Sequence, residues 1–134
     1  MKSEDTVLIQ DILRFWFDEL TPNSWWAKSD QLDADIRQRF ALLHERAEHS
    51  ELAAWRTTPE GSLAEVLILD QFSRNIFRNH ARAFASDSLA LALAQVAIVK
   101  GFDKELPAIR RSFLYLPFMH SESLFIHEQA VALY

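Results

Sequence analysis

At 134 residues the chain has the length of one domain, enough to bury roughly two-thirds of the surface its unfolded form exposes. A net charge of -5 opposes general attraction to nucleic acid or anionic membranes, and the absence of cysteine removes disulfides, thiolate metal sites and thiol nucleophiles. With only two Gly and four Pro beside 49% hydrophobic residues, the composition predicts long helices, not short strands joined by turns.

The N-terminal stretch MKSEDTVLIQDILRFWFDEL carries acids through its apolar part and has no small-residue cleavage site, so no signal peptide is read there. No apolar run is expected to reach the roughly 20 residues that cross a bilayer. These readings predict a soluble, cytoplasmic protein without membrane or nucleic-acid partners. The first helix is expected to be capped by Asp5 or Thr6 and mostly buried through Leu8, Ile9, Ile12, Leu13, Phe15, Trp16 and Phe17. Thr21-Pro22-Asn23-Ser24 breaks it, and Trp25-Trp26 form either a plug over helix ends or a binding platform.

Ser29 or Asp30 opens an amphipathic helix with apolar residues at Leu32, Ile36, Phe40, Leu43 and Ala47, and with Asp33, Asp35, Arg37 and Arg39 on its solvated faces. Thr58 followed by Pro59 is a strong helix start, because proline loses nothing where the N–H is unpaired anyway. The helix that follows, about residues 59–77, has two apolar flanks. Counted at 100° per residue, Leu63, Val66, Leu67, Asp70, Arg74 and Phe77 share one face, while Ile68, Leu69, Phe72 and Ile76 form another. This predicts a central helix. After a polar loop to Phe84, Ser86 or Asp87 opens LALALAQVAIV, which ends at Gly101 in a left-handed cap. A further helix starts near Pro107 and ends or kinks at Pro117, and a last one runs from about Ser121 with its apolar face continuing to Tyr134.

The segments ILRFWFDEL, WWAKSDQLDADIRQRF, LILDQFSRNIFRNHARAFASD and FLYLPFMHSES, in that order, resemble the bacterial family known as domain of unknown function 924. The resemblance covers nearly the whole chain. It implies an all-α fold of antiparallel helical hairpins, stacked as in tetratricopeptide-like superhelices, and no established activity. Members of that family carry a later segment resembling RFGRFPHRN that does not occur here, so the expectation is a single domain over 1–134 lacking the family's C-terminal segment.

Asp70 and Arg74, four apart within an apolar stripe, are expected to be buried as an ion pair, with Gln71 and Asn75 supplying amide hydrogen bonds. One reading is a structural network tying helices together; the other is a ligand pocket. Arg74, Arg78 and Arg82 recur every four residues with no acid from Gln71 through Ser86, which suits phosphate or carboxylate groups unless they pair with Asp33, Asp87 or Glu122. The candidate site is therefore Asp70, Gln71, Arg74, Asn75, Arg78, His120, Ser121 and Glu122. It would bind a small anionic ligand or a peptide. The alternatives are hydrolase-like acid/base chemistry on Asp70, His120 or Glu122, and a purely structural or homodimeric role for the C-terminal helix. No metal is expected, since His120 and His127 lack HExxH spacing, and no cofactor, since Gly61 and Gly101 cannot build a phosphate loop.

Overall fold

A computed structural model of the chain describes residues 2–134. Among these the chain forms eight α-helices and no strand: α1 Ser3–Arg14, α2 Pro22–Trp26, α3 Asp30–Glu48, α4 Pro59–Leu67, α5 Ser73–Ile76, α6 Asp87–Val99, α7 Ala108–His120 and α8 Leu124–Leu133. The fold is all-α. Packing follows α1 on α4, α3 on α5, α4 on α6, α6 on α7 and α7 on α8, an order compatible with stacked hairpins, and α7 returns to touch α4. α4 is thus the central helix, buried on both flanks from Gly61 to Leu67.

The starts of the helices follow their side chains. Ser29 Oγ accepts from the Leu32 N–H at 3.2 Å, and Thr58 Oγ1 accepts from the Gly61 N–H at 3.0 Å. α1 differs: it begins at Ser3 without a side-chain cap, and Asp5 instead accepts from the Trp55 indole at 3.0 Å. A carboxylate inside the first turn is still well placed against the positive end of the helix. Gly101 adopts φ 78°, as a left-handed cap after α6 requires.

Two helices widen into π-turns that their sequences did not announce. α1 runs into Phe15–Glu19, and α4 into Ile68–Phe72 before α5. The two turns face each other across the core. The Phe72 ring lies 6.1 Å from Phe15, 5.8 Å from Trp16 and 5.1 Å from Phe40, centroid to centroid. Such aromatic contacts contribute beyond the area they bury. Trp25 closes one end of this cluster, donating its indole N–H to the Trp16 carbonyl at 2.9 Å and meeting Phe113 edge-on at 4.9 Å. The plug reading therefore fits Trp25, while Trp26 stacks on Phe113 with its outer face exposed.

The stretch Ala81–Val99 has the length and hydropathy of a membrane span, 19 residues at a mean hydropathy of 1.4, contrary to the expectation from apolar run length. Here it is a 3-10 turn followed by α6, and Ala90, Ala94 and Ala97 press against the core. Small alanines allow α6 to approach α4 closely. α7 continues through the buried Pro117 to His120, so of the two expectations at that proline, an end or a kink, the end does not occur. α8 leaves Leu124, Phe125 and Val131 exposed.

Gly61 lies close against the 53–57 turn: a Cβ there would sit 2.1 Å from the Trp55 carbonyl oxygen. That neighbour is backbone and cannot swing aside. Alanine would gain about 1 kcal/mol of helix propensity, but the forced shift costs about 1–3 kcal/mol. Gly61→Ala is therefore expected to lower stability in urea denaturation, and an unchanged or raised midpoint would show that the 53–57 turn yields easily.

Candidate functional site

The π-turn Ile68–Phe72 determines where the polar residues of LDQFSRN point. A turn widened to i→i+5 spacing leaves a backbone carbonyl short of an N–H donor. Two side chains just beyond supply donors: Ser73 Oγ donates to the Leu69 carbonyl at 2.6 Å, and Arg74 Nη1 donates to the Asp70 carbonyl at 2.7 Å. The same Nη1 lies 3.4 Å from Asp70 Oδ1, so the expected buried pair forms. Asp70 itself is 1% exposed. Its Oδ2 accepts from Gln71 Nε2 at 2.7 Å, and its Oδ1 is 2.8 Å from His120 Nδ1 at the end of α7.

Arg74 has a stronger partner than Asp70. Its Nη1 and Nη2 donate to the two carboxylate oxygens of Asp87, each at 2.9 Å, at the first turn of α6. A bidentate fork of this kind fixes orientation as well as charge. One buried carboxylate and one guanidinium thus join the central helix to α6 and to the end of α7.

Above this network lies a cleft of about 510 Å³ lined by Arg74, Phe84, Asp87, Ser88, Leu91, Pro117, His120, Ser121 and Glu122. Of the expected site residues it brings together Arg74, His120, Ser121 and Glu122 at its wall, with Asp70 and Gln71 behind them. Asn75 and Arg78 are not part of it. Asn75 Nδ2 donates to Asp33 Oδ1 at 2.9 Å, and Arg78 holds Asp33 through Nε at 2.5 Å and Nη2 at 3.0 Å. Asn75 lies about 100° round the helix from Arg74, and Arg78 lies beyond the end of α5, so both reach α3. Asp33, expected on a solvated face, is consequently 5% exposed. Burial alone pushes its carboxyl up, but hydrogen bonds from Arg78 and Asn75 and the charges of Arg78 and Arg37 hold it below its ordinary value.

Arg110 and Arg111 stay away from the cleft as well. Arg110 lies over the Phe17 ring at 5.0 Å, and Arg111 donates to the carbonyls of Asp103 and Leu106. Among the described residues no group of three or more His, Asp or Glu side chains is arranged to hold a metal ion.

A second polar cluster was not expected from the sequence. His44, 2% exposed on α3, has Nε2 2.6 Å from Ser73 Oγ and Nδ1 3.2 Å from Glu48. Serine, histidine and glutamate in this order resemble a nucleophile relay. The chemistry does not follow, because Ser73 is completely buried and its hydroxyl is committed to the Leu69 carbonyl. The cluster ties α3 to the π-turn. Its signal was present in the sequence, since His44 lies on the stripe of Phe40, Leu43 and Ala47.

The family described as bacterial protein of unknown function, DUF924, matches residues 12–134, and the chain belongs to it. The structure is similar to that of the protein of unknown function ATU0120 from Agrobacterium tumefaciens, with a TM-score of 0.92 and 38% sequence identity, covering 96% of this chain and 72% of that one. No curated protein matches the chain.

His44 gives the core a pH dependence of definite sign. Burial, with a smaller push from Arg82, lowers its pKa below the ordinary 6.5, and Glu48 only partly opposes this. The unfolded chain therefore binds this proton more readily than the folded one, so stability falls as pH drops below about 6.5. Asp33, depressed below 3.8, adds a separate loss as pH falls through its lower folded value. In urea titrations across pH 7 to 5, His44→Gln is expected to flatten this fall while leaving the loss below pH 4 in place. An equally steep fall between pH 7 and 5 in the variant would remove His44 as the cause.

Proposed function

We propose that the chain is a binding protein for a small polar molecule, seated in the cleft between Phe84, α6 and the end of α7. The observation that carries this is convergence. Arg74, Asp87, Ser88, His120, Ser121 and Glu122 present polar groups to one opening of about 510 Å³, within the usual size range of small-ligand sites.

Charge balance argues for the kind of ligand. At the cleft the anion expected from the arginine run finds no free guanidinium, because Asp87 occupies Arg74, Asp33 occupies Arg78, and Arg82 lies outside the cleft beside Glu48. Glu122 has no ion-pair or hydrogen-bond partner among the described residues, and Asp70 and Asp87 add two more carboxylates around the single Arg74. A ligand that donates hydrogen bonds, through hydroxyl or amine groups, suits this surface better than a phosphate or carboxylate.

The exposed apolar side chains of α8 favour a second reading, self-association through Leu124, Phe125 and Val131. Sedimentation of the protein and its Val131→Glu variant separates the two, since self-association through α8 requires an oligomer that the variant loses.

The cleft reading is tested by titrating isotope-labelled protein with glucose, ethanolamine, inorganic phosphate and citrate. The hydroxyl and amine probes are expected to shift resonances of Ser88, His120 and Glu122, and Ser88→Ala to weaken them several-fold. Perturbation of those residues by phosphate or citrate alone would contradict the ligand class, and silence from all four probes would contradict the site.

A further inference from the structure

We infer that His120 is a general base facing the cleft and that Asp70 is its positioning residue. This rests on the reading of the cleft as a ligand site and adds a chemical role within it.

The proton inventory around Asp70 leads to this assignment. Its carboxylate accepts from Gln71 Nε2 at 2.7 Å and lies 3.4 Å from the Arg74 guanidinium, both groups that only donate at these atoms. An ionised carboxylate has no proton to give. The hydrogen bond at 2.8 Å between Asp70 Oδ1 and His120 Nδ1 is therefore donated by the imidazole, which leaves the Nε2 lone pair of the neutral ring free. Nε2 makes no protein hydrogen bond, and it is not among the sealed unpartnered atoms, which are Trp16 Nε1 and Asp103 Oδ1. His120 also forms part of the cleft wall.

A carboxylate that orients Nδ1–H while Nε2 faces a ligand is the arrangement by which an imidazole takes a proton from a hydroxyl or a water. The setting differs from a surface histidine in two respects. Asp70 is buried, and Gln71 and Arg74 hold its carboxylate and its backbone carbonyl. Around the ring stand Asp70 behind it and, at the cleft wall, Arg74 from α5, Asp87 from α6 and Glu122 from the link to α8. Of the acceptors at this wall, His120 is the one that a buried carboxylate orients through its other ring nitrogen.

The step is tested with 4-nitrophenyl acetate. Nε2 takes one proton from water as the water oxygen bonds to the acetyl carbon, the carbon–oxygen bond to nitrophenolate breaks, and both the imidazole proton and the proton of the acetic acid so formed pass to solvent. Acetate and nitrophenolate are the products. His120→Gln is expected to remove at least tenfold of the rate. Asp70→Asn, whose amide leaves the ring free to adopt the other tautomer, is expected to lose a similar factor while far-UV circular dichroism stays unchanged. Retention of the full rate by His120→Gln would overturn the assignment, as would an Asp70→Asn variant that is folded and unaffected both in rate and in the nitrogen-15 signature of the His120 ring. The cleft itself is read separately through the Ser88 resonance with glucose or ethanolamine, so the binding site stands if only the base fails.

Discussion

The Asp70 carboxylate is the constraint on which the rest of the arrangement depends. A charge that is 1% exposed in a helical core must be compensated by donors, since an unpaired one would cost several kcal/mol. Three donors meet it from Gln71, Arg74 and His120. Each brings an element with it: Arg74 carries Asp87 and the start of α6, and His120 carries the end of α7. The cleft is the space these elements leave between them, so its geometry follows from satisfying one buried group.

The π-turns give that group its position. In a regular α-helix, Ser73 and Arg74 would hang on the same ladder as their neighbours. In the widened turn they supply donors to the Leu69 and Asp70 carbonyls. Phe72, on the opposite side of the same turn, inserts between Phe15, Trp16 and Phe40. Apolar anchoring on one side holds the polar arrangement on the other, because any slip of the turn would pull Phe72 out of its packing. A site built on packed helices in this way is more rigid than one on loops.

Much of the fold was legible in the sequence where the cause is local. Thr58-Pro59, Ser29 and Gly101 act within one turn of themselves, and each does what its chemistry requires. The stripe of Leu32, Ile36, Phe40, Leu43 and Ala47 is buried as its spacing implies. The pairing of Asp70 with Arg74 was legible for the same reason. What was hidden depends on elements far apart in the chain. Nothing near Asp33 announces that Arg78 and Asn75 will bury it, and nothing near Arg74 selects Asp87 over Glu122. Asn75 and Arg78 were grouped with Arg74 by nearness in sequence, but Asn75 lies about 100° round the helix and Arg78 past the end of α5, so both meet α3 instead of the cleft. His120 could be named as a candidate, but its contact with Asp70 spans 50 residues of chain and appears only in the fold.

The central claim is that buried Asp70 holds His120 with the proton on Nδ1. Nitrogen-15 spectra of the His120 ring at a pH where it is neutral measure this directly. A protonated Nδ1 and a bare Nε2, interchanged or mixed in Asp70→Asn, is the expected result. A ring that carries its proton on Nε2 in the unaltered protein would contradict the account.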